Sequence, residues 1–241
     1  MKKHFIILFV FWCALSDTMA QKENYARFGI GYLVAEKGLQ AYAINFPNAA
    51  FDLFSAPGSK KVGTIYKKDF INLMYQVNTG TSAFRVKNED LAEFPGKSFC
   101  LKYFEQEDGF LKILVNSTGK GYWIMEKELK YLRINSQSWF EYFVKQKGDY
   151  FPVIDIGLNL REKPKAESKK IALLKGDCFM IRLTGTIEGF WAEAEVKKYA
   201  ARPCKSADLS SLSPDVVMNG WIKILDDSGV PNIWFHVNGC D

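Results

Sequence analysis

A mostly β fold in two similar domains is predicted by three observations. Phe and Tyr are abundant, 19 and 11 among 241 residues, glycine occurs 18 times, and runs with helical period are scarce. Short alternating apolar and polar stretches, bounded by Asn, Asp, Ser and Gly, recur along the chain and read as strands and hairpins. The chain also repeats itself. "DGFLKILVNSTGKGYWI", from Asp108, lies without a gap on "NGWIKILDDSGVPNIWF", from Asn219, which sets Gly109 on Gly220, Lys112 on Lys223, Ser117 on Ser228 and Trp123 on Trp234 at an offset of 111. "FDLFSAPGSKKVGTI", from Phe51, lies on "LNLREKPKAESKKIALL", with Leu53 on Leu160 and Pro57 on Pro164 at an offset of 107. Two matches in order, at nearly one offset, indicate a duplicated domain.

The first element is residues 1–20. Lys2 and Lys3 open it, Phe5 to Leu15 is an apolar run too short to span a bilayer, and Thr18-Met19-Ala20 offers small residues for cleavage. This reads as a secretory signal peptide with the mature chain starting near Gln21, hence a periplasmic or secreted protein. A lipoprotein signal at Cys13 is disfavoured, because Trp12 stands where a small residue is needed. No later run of apolar residues is long enough for a membrane span. Removing Lys2, Lys3 and Asp17 from the 32 basic and 27 acidic residues leaves a net charge of +4. That is mild, and with export it argues against nucleic acid as a partner.

Residues 21–41 are expected to be an N-terminal extension, residues 42–133 the first repeat and residues 150–241 the second. A short linker helix within residues 134–149 should join them. Ser138-Trp139-Phe140-Glu141 has the Ser-x-x-Glu form of a capping box and Gly148 would end the helix, with Trp139, Phe140 and Phe143 packing against a neighbouring sheet.

Leu158-Asn159-Leu160-Arg161 followed by Pro164 resembles the opening of bacterial SH3 (SH3b) domains: a hydrophobic-Asn-hydrophobic-Arg strand, a proline loop, then a strand ending in Lys-Gly, here Lys175-Gly176. Gly220-Trp221-Ile222-Lys223-Ile224 is similar to the Gly-Trp-x-Lys strand of that family, and Ile233-Trp234-Phe235 to its final Gly-Trp strand, with Asn232 in place of the glycine. The first copy departs further: Asp52 and Phe54 stand for Asn and Arg, and Gly109-Phe110 for Gly-Trp. The resemblance implies two tandem SH3-like small β-barrels, with Trp123, Trp221 and Trp234 at core positions. Both copies are long for the family, so extra elements must lie between the second strand and the Gly-aromatic strand. Glu188-Gly189-Phe190-Trp191 is a second choice for the Gly-Trp strand of copy two, which would make residues 197–218 an insertion; the internal repeat favours Gly220-Trp221.

Catalytic chemistry has little to build on. His4 leaves with the signal, so His236 alone remains, and the two repeats leave no room for a peptidase domain with a Cys–His pair. Asp226-Asp227 and Glu105, Glu107 and Asp108 lie in turn-rich stretches and read as solvated turn residues rather than an acid/base pair. Gly29-Ile30-Gly31 lacks the third glycine of a dinucleotide loop, and Asp226-Asp227-Ser228 lacks regular calcium-ligand spacing. No enzyme activity, cofactor or metal is expected.

Four cysteines remain after cleavage, Cys100, Cys178, Cys204 and Cys240, and sequence alone allows three full pairings. A bond between Cys204 and Cys240 would tie down the chain terminus, while Cys100 and Cys178, each in an apolar strand, read as free buried thiols; four free thiols is the other outcome. Candidate ligand contacts are the lysines of the two proline loops, Lys60 and Lys61 in the first and Lys163, Lys165, Lys169 and Lys170 in the second, together with Trp191 and Tyr199, which flank a charged strand. The resemblance implies a non-catalytic binding protein of the cell envelope, taking peptidoglycan, another glycan or a protein; a periplasmic interaction subunit or inhibitor is the alternative.

Overall fold

The computed structural model describes residues 28–35, 50–68, 73–77, 82–86, 91–94, 98–115, 121–146, 148–153, 157–203 and 212–235. The chain divides after Lys145, and each part carries one sheet.

The first unit is built from β1 (Gly31–Ala35), β2 (Ala50–Phe54), β3 (Lys61–Lys67), β4 (Leu73–Val77), β5 (Phe84–Arg85), β6 (Leu91–Phe94), β7 (Ser98–Glu107), β8 (Phe110–Leu114), β9 (Gly121–Met125) and β10 (Ile134–Ser138). They pair in the order β10-β1-β7-β8-β9-β2-β3-β4-β5, with β6 on β7. The β7–β8 turn is Asp108-Gly109, at φ 48 and 76°; two positive values in succession match the right-handed twist of the flanking strands, and Asp and Gly tolerate them. Residues from several of these strands, among them Phe51, Leu53, Ile65, Leu101, Ile113 and Ile124, are fully buried in one core.

Helix α1 (Glu126–Tyr131) follows β9, and α2 (Trp139–Lys145) follows β10. The capping box of α2 is present: the Ser138 amide donates to Glu141 Oε2 at 3.1 Å and the Glu141 amide to Ser138 Oγ at 3.2 Å. The helix is not a linker. Trp139 is fully buried, its Nε1 donates to the carbonyl of Phe28 at 2.9 Å, and its ring stacks on Tyr32 at 4.7 Å. The stretch before it is β10, paired over five residues with β1, so residues 31–35 supply a central strand of the sheet rather than an extension.

The second unit contains β11 (Asp149–Pro152), β12 (Leu158–Arg161), β13 (Lys170–Leu174), β14 (Phe179–Glu188), β15 (Trp191–Lys198), β16 (Val216–Lys223) and β17 (Ile233–Trp234), in the order β13-β12-β16-β15-β14-β11-β17. Its core holds Leu160, Ile181, Ala192, Ala194, Val196 and Ile222, all fully buried. Small alanines on β15 let β12, β14 and β16 approach the same interior.

The two sheets share one topology. Deleting β4, β5 and β6 from the first leaves β10-β1-β7-β8-β9-β2-β3, which corresponds strand for strand with β17-β11-β14-β15-β16-β12-β13. The offset of 107 agrees with this match: β2 and β12 each carry a register shift after Leu53 and Leu160, at the same place against β3 and β13. The offset of 111 does not agree. Phe54 pairs with Trp123, and its counterpart Arg161 pairs with Trp221, so Trp123 answers to Trp221 and not to Trp234. Phe110, opposite Glu107, answers to Trp191, opposite Glu188. Gly189-Phe190 is therefore the counterpart of the Asp108-Gly109 turn, and the chain between β15 and β16 is the extra segment of the second unit. Trp234 lies on the strand that corresponds to β10.

Candidate binding face

On β15 the residues Ala192, Ala194 and Val196 face the core, so Trp191, Glu193, Glu195 and Lys197 lie on the outer face. Trp221 on β16 lies opposite Glu193, and Lys223 opposite Trp191, which makes Trp191 and Trp221 diagonal neighbours on that face. Both indoles are half-buried. Arg161 stands beside Trp221 across the β12–β16 pair. Trp221 is thus an outward aromatic rather than the core residue its motif suggested; the core position beside it is Ile222, which is fully buried.

Corresponding positions of the first unit hold Phe110, Lys112, Trp123 and Phe54. There Phe110 is half-buried but Trp123 is covered, at 6 % exposed: Lys112 Nζ lies 5.6 Å from its ring centre, and Phe54, which pairs with it across the strands, meets Phe110 edge-on at 5.6 Å. Lys112 is also ion-paired with Glu105 at 2.7 Å. The same aromatic pair therefore recurs in both units, its tryptophan covered by Phe54 and Lys112 in one and its two indoles flanked by Arg161, Glu193 and Lys223 in the other. Aromatic rings with a few polar groups at their margins suit a ligand with apolar faces and a polar edge.

The lysine loops differ from expectation in what they do. In the second unit the loop is folded on Ser168, which is 9 % exposed: Arg161 Nη1 donates to its carbonyl at 2.6 Å, and the Lys163 amide to its hydroxyl at 2.9 Å. Lys169 pairs with Glu162 at 2.7 Å, and that hydrogen bond and charge hold its ammonium above the usual range. Lys61 pairs with Asp52 at 2.5 Å. Lys60, Lys163, Lys165 and Lys170 are exposed and make no ion pair among the described residues. Tyr199 is not a surface residue: it is 6 % exposed and packs in a small apolar cluster with Phe151 and Met180.

Cys100 is a buried free thiol and Cys178 a free thiol at intermediate depth; Cys204, Cys240 and His236 lie outside the described residues. Asp226 Oδ1 accepts from the amides of Ser228 at 2.8 Å and Val230 at 3.0 Å, so this carboxylate closes a turn. Among the described residues no three His, Cys, Asp or Glu side chains are grouped to hold a metal ion, and no helix is long and apolar enough to cross a membrane. Sequence reasoning missed Lys102, which is 1 % exposed, with Nζ 5.9 Å from the centre of the Phe104 ring. The available signal was the run Phe99 to Phe104, apolar on both sides of this lysine, as in a strand covered on both faces.

Compared with protein-family models, with curated proteins and with solved structures, the chain matches none.

Proposed function

We propose that the chain is an exported, non-catalytic binding protein of the bacterial cell envelope, made of two units of the bacterial SH3 type, and that it takes a glycan on the outer aromatic face of its second unit. The observation that carries this reading is the recurrence of one diagonal aromatic pair in both sheets, with both rings half-open only where Trp191 and Trp221 form it. Sugar rings present apolar C–H faces to an indole and hydroxyls to charged neighbours, which Arg161, Glu193 and Lys223 supply. Export rests on the leader-like first twenty residues. The absence of catalysis rests on the single histidine that would remain after cleavage. The expected result is co-sedimentation of the mature protein with purified peptidoglycan sacculi, lost in Trp191→Ala and Trp221→Ala variants that keep the wild-type circular dichroism. Undiminished sedimentation of both variants would remove the aromatic face from the reading. No sedimentation of the wild-type protein would remove the glycan.

A further inference from the structure

Among the described residues, strand β13 ends the seven-stranded sheet and pairs with β12 alone. Its counterpart in the first unit, β3, does not end a sheet. There β4 lies antiparallel along it over five residues, Gly63↔Val77 to Lys67↔Leu73, and β5 follows. One topology thus occurs twice, once with this edge covered by an added strand and once with it bare. The bare edge is apolar at its centre: Ile171 is 40 % exposed and Leu173 41 %, with Ala172 between them. Its margins are basic, with Lys170 at the start, Lys175 after the end, and Lys163 and Lys165 in the adjoining loop, all exposed. An unpaired row of amides and carbonyls is a template for strand addition, and the charges beside it select what is added.

We propose that β13 is a docking edge for an extended peptide segment of another protein, apolar at alternate positions and acidic at its ends, added antiparallel as an eighth strand. The first unit supplies the geometry of the occupant in the form of β4. The charges supply its sign. They also weigh against the most obvious rival, a second copy of this chain: such a pairing brings two basic edges together, and in the register centred on Ala172 it sets Lys169 of each chain opposite Lys175 of the other. The edge adjoins the aromatic face, since Lys170 is the register partner of Arg161, but Trp191 and Trp221 are no part of it, so loss of glycan binding in the tryptophan variants and loss of peptide binding in the lysine variant are separate outcomes.

The test uses the full mature chain and a synthetic peptide of about nine residues, the length of a long strand, alternating Val and Thr between paired glutamates. Backbone hydrogen exchange is followed residue by residue. Addition of the peptide slows exchange across Lys170–Leu174, and added salt weakens the effect. The double variant Lys170→Glu, Lys175→Glu lowers affinity by about tenfold or more and prefers a peptide with lysine ends. A peptide methylated on alternate backbone nitrogens does not bind, because it cannot complete the ladder. Three results overturn the proposal: protection elsewhere in the chain or nowhere at about 1 mM peptide, equal binding by the methylated peptide, or indifference to the charge reversal. Dimerisation of the wild-type chain that protects β13 without peptide also overturns it, by giving the edge to a second copy.

Discussion

Trp123 and Trp221 occupy one place in two sheets: each lies opposite the residue that follows the register shift before the lysine loop, Phe54 for the first and Arg161 for the second. Their surroundings have diverged. Phe54 and Lys112 bury the first indole, whereas Arg161 and Glu193 leave the second half open.

That difference predicts unequal costs of truncation. Trp123→Ala removes a large buried ring and is expected to cost about 3–5 kcal/mol. Trp221→Ala removes a half-buried one and is expected to cost about 1–2 kcal/mol. Urea denaturation of each variant of the full chain, followed by fluorescence, compares them. Equal losses would mean that the two positions are equally buried in solution.

Gly220 sits where β16 passes β12 closely. A Cβ placed on it would lie 2.6 Å from the carbonyl oxygen of Arg161 and 2.9 Å from Cδ1 of Ile171. The carbonyl belongs to a paired strand and cannot swing aside. Gly220→Ala is therefore expected to destabilise the second unit by about 1–3 kcal/mol, the usual range for overpacking. The same denaturation experiment reads it, and a neutral substitution would place the strands farther apart.

Alkaline pH should loosen the first unit. Burial pushes the Tyr103 phenol up to about 12, with the carboxylates of Glu141 and Glu126 adding to the effect. Burial also raises Tyr32, whose hydroxyl donates to Gln137 Oε1 at 2.6 Å. A raised phenol means that the fold favours the neutral form. The stability it contributes is complete below the unfolded value near 10 and is lost as pH rises toward 12; for Tyr103 this amounts to roughly 2–3 kcal/mol. Urea midpoints should fall across that window together with the rise of phenolate absorbance, and Tyr103→Phe should flatten the fall. A variant with the wild-type pH slope would assign the loss to other groups.

Thiol chemistry should separate the cysteines. Burial holds the Cys100 thiol above its usual range, while Cys178 lies nearer the surface. An alkylating reagent added to the native protein is expected to label Cys178 and spare Cys100. Cys204 and Cys240 are expected to resist labelling until a reductant is added, because a bond between them closes a loop of about 36 residues and restrains the unfolded chain by roughly 3–4 kcal/mol. Peptide mapping by mass spectrometry decides both points. Labels on Cys204 and Cys240 without reduction, in protein from an oxidising compartment, would dismiss the bond.

The local features were legible in the sequence and the long-range ones were not. The lysine-loop hairpins and the capping box of Ser138 and Glu141 could be read from proline, lysine and serine positions, because their partners lie nearby in the chain, and the length between the second strand and the Gly-aromatic strand announced extra elements without giving their form. The hairpin repeat was misread. Gly-aromatic-x-Lys-Ile-Leu occurs at Gly109 and again at Gly220, but period-two alternation looks alike in every strand of such a sheet. What distinguishes β8 from β16 is the strand lying opposite, and for β16 the intervening segment hides it. Trp221 was assigned inward from its place in the SH3b-like motif; its neighbour Ile222 fills the core instead, and a one-residue choice reverses the face. Lys102 was passed over, although the apolar residues on both sides of it marked a strand covered on both faces.

The pairing of β1 with β10 has a consequence for the order in which the first unit is completed. The ladder joins the first strand of the unit to its last, so neither can be secured until the whole intervening segment has been made. Contacts of such long sequence separation form slowly, because the loop must close before the pairing rewards it. A sheet whose final ladder waits for its last strand therefore stays open along that edge until β10 has been made, and the register of β1 against β10 is fixed last.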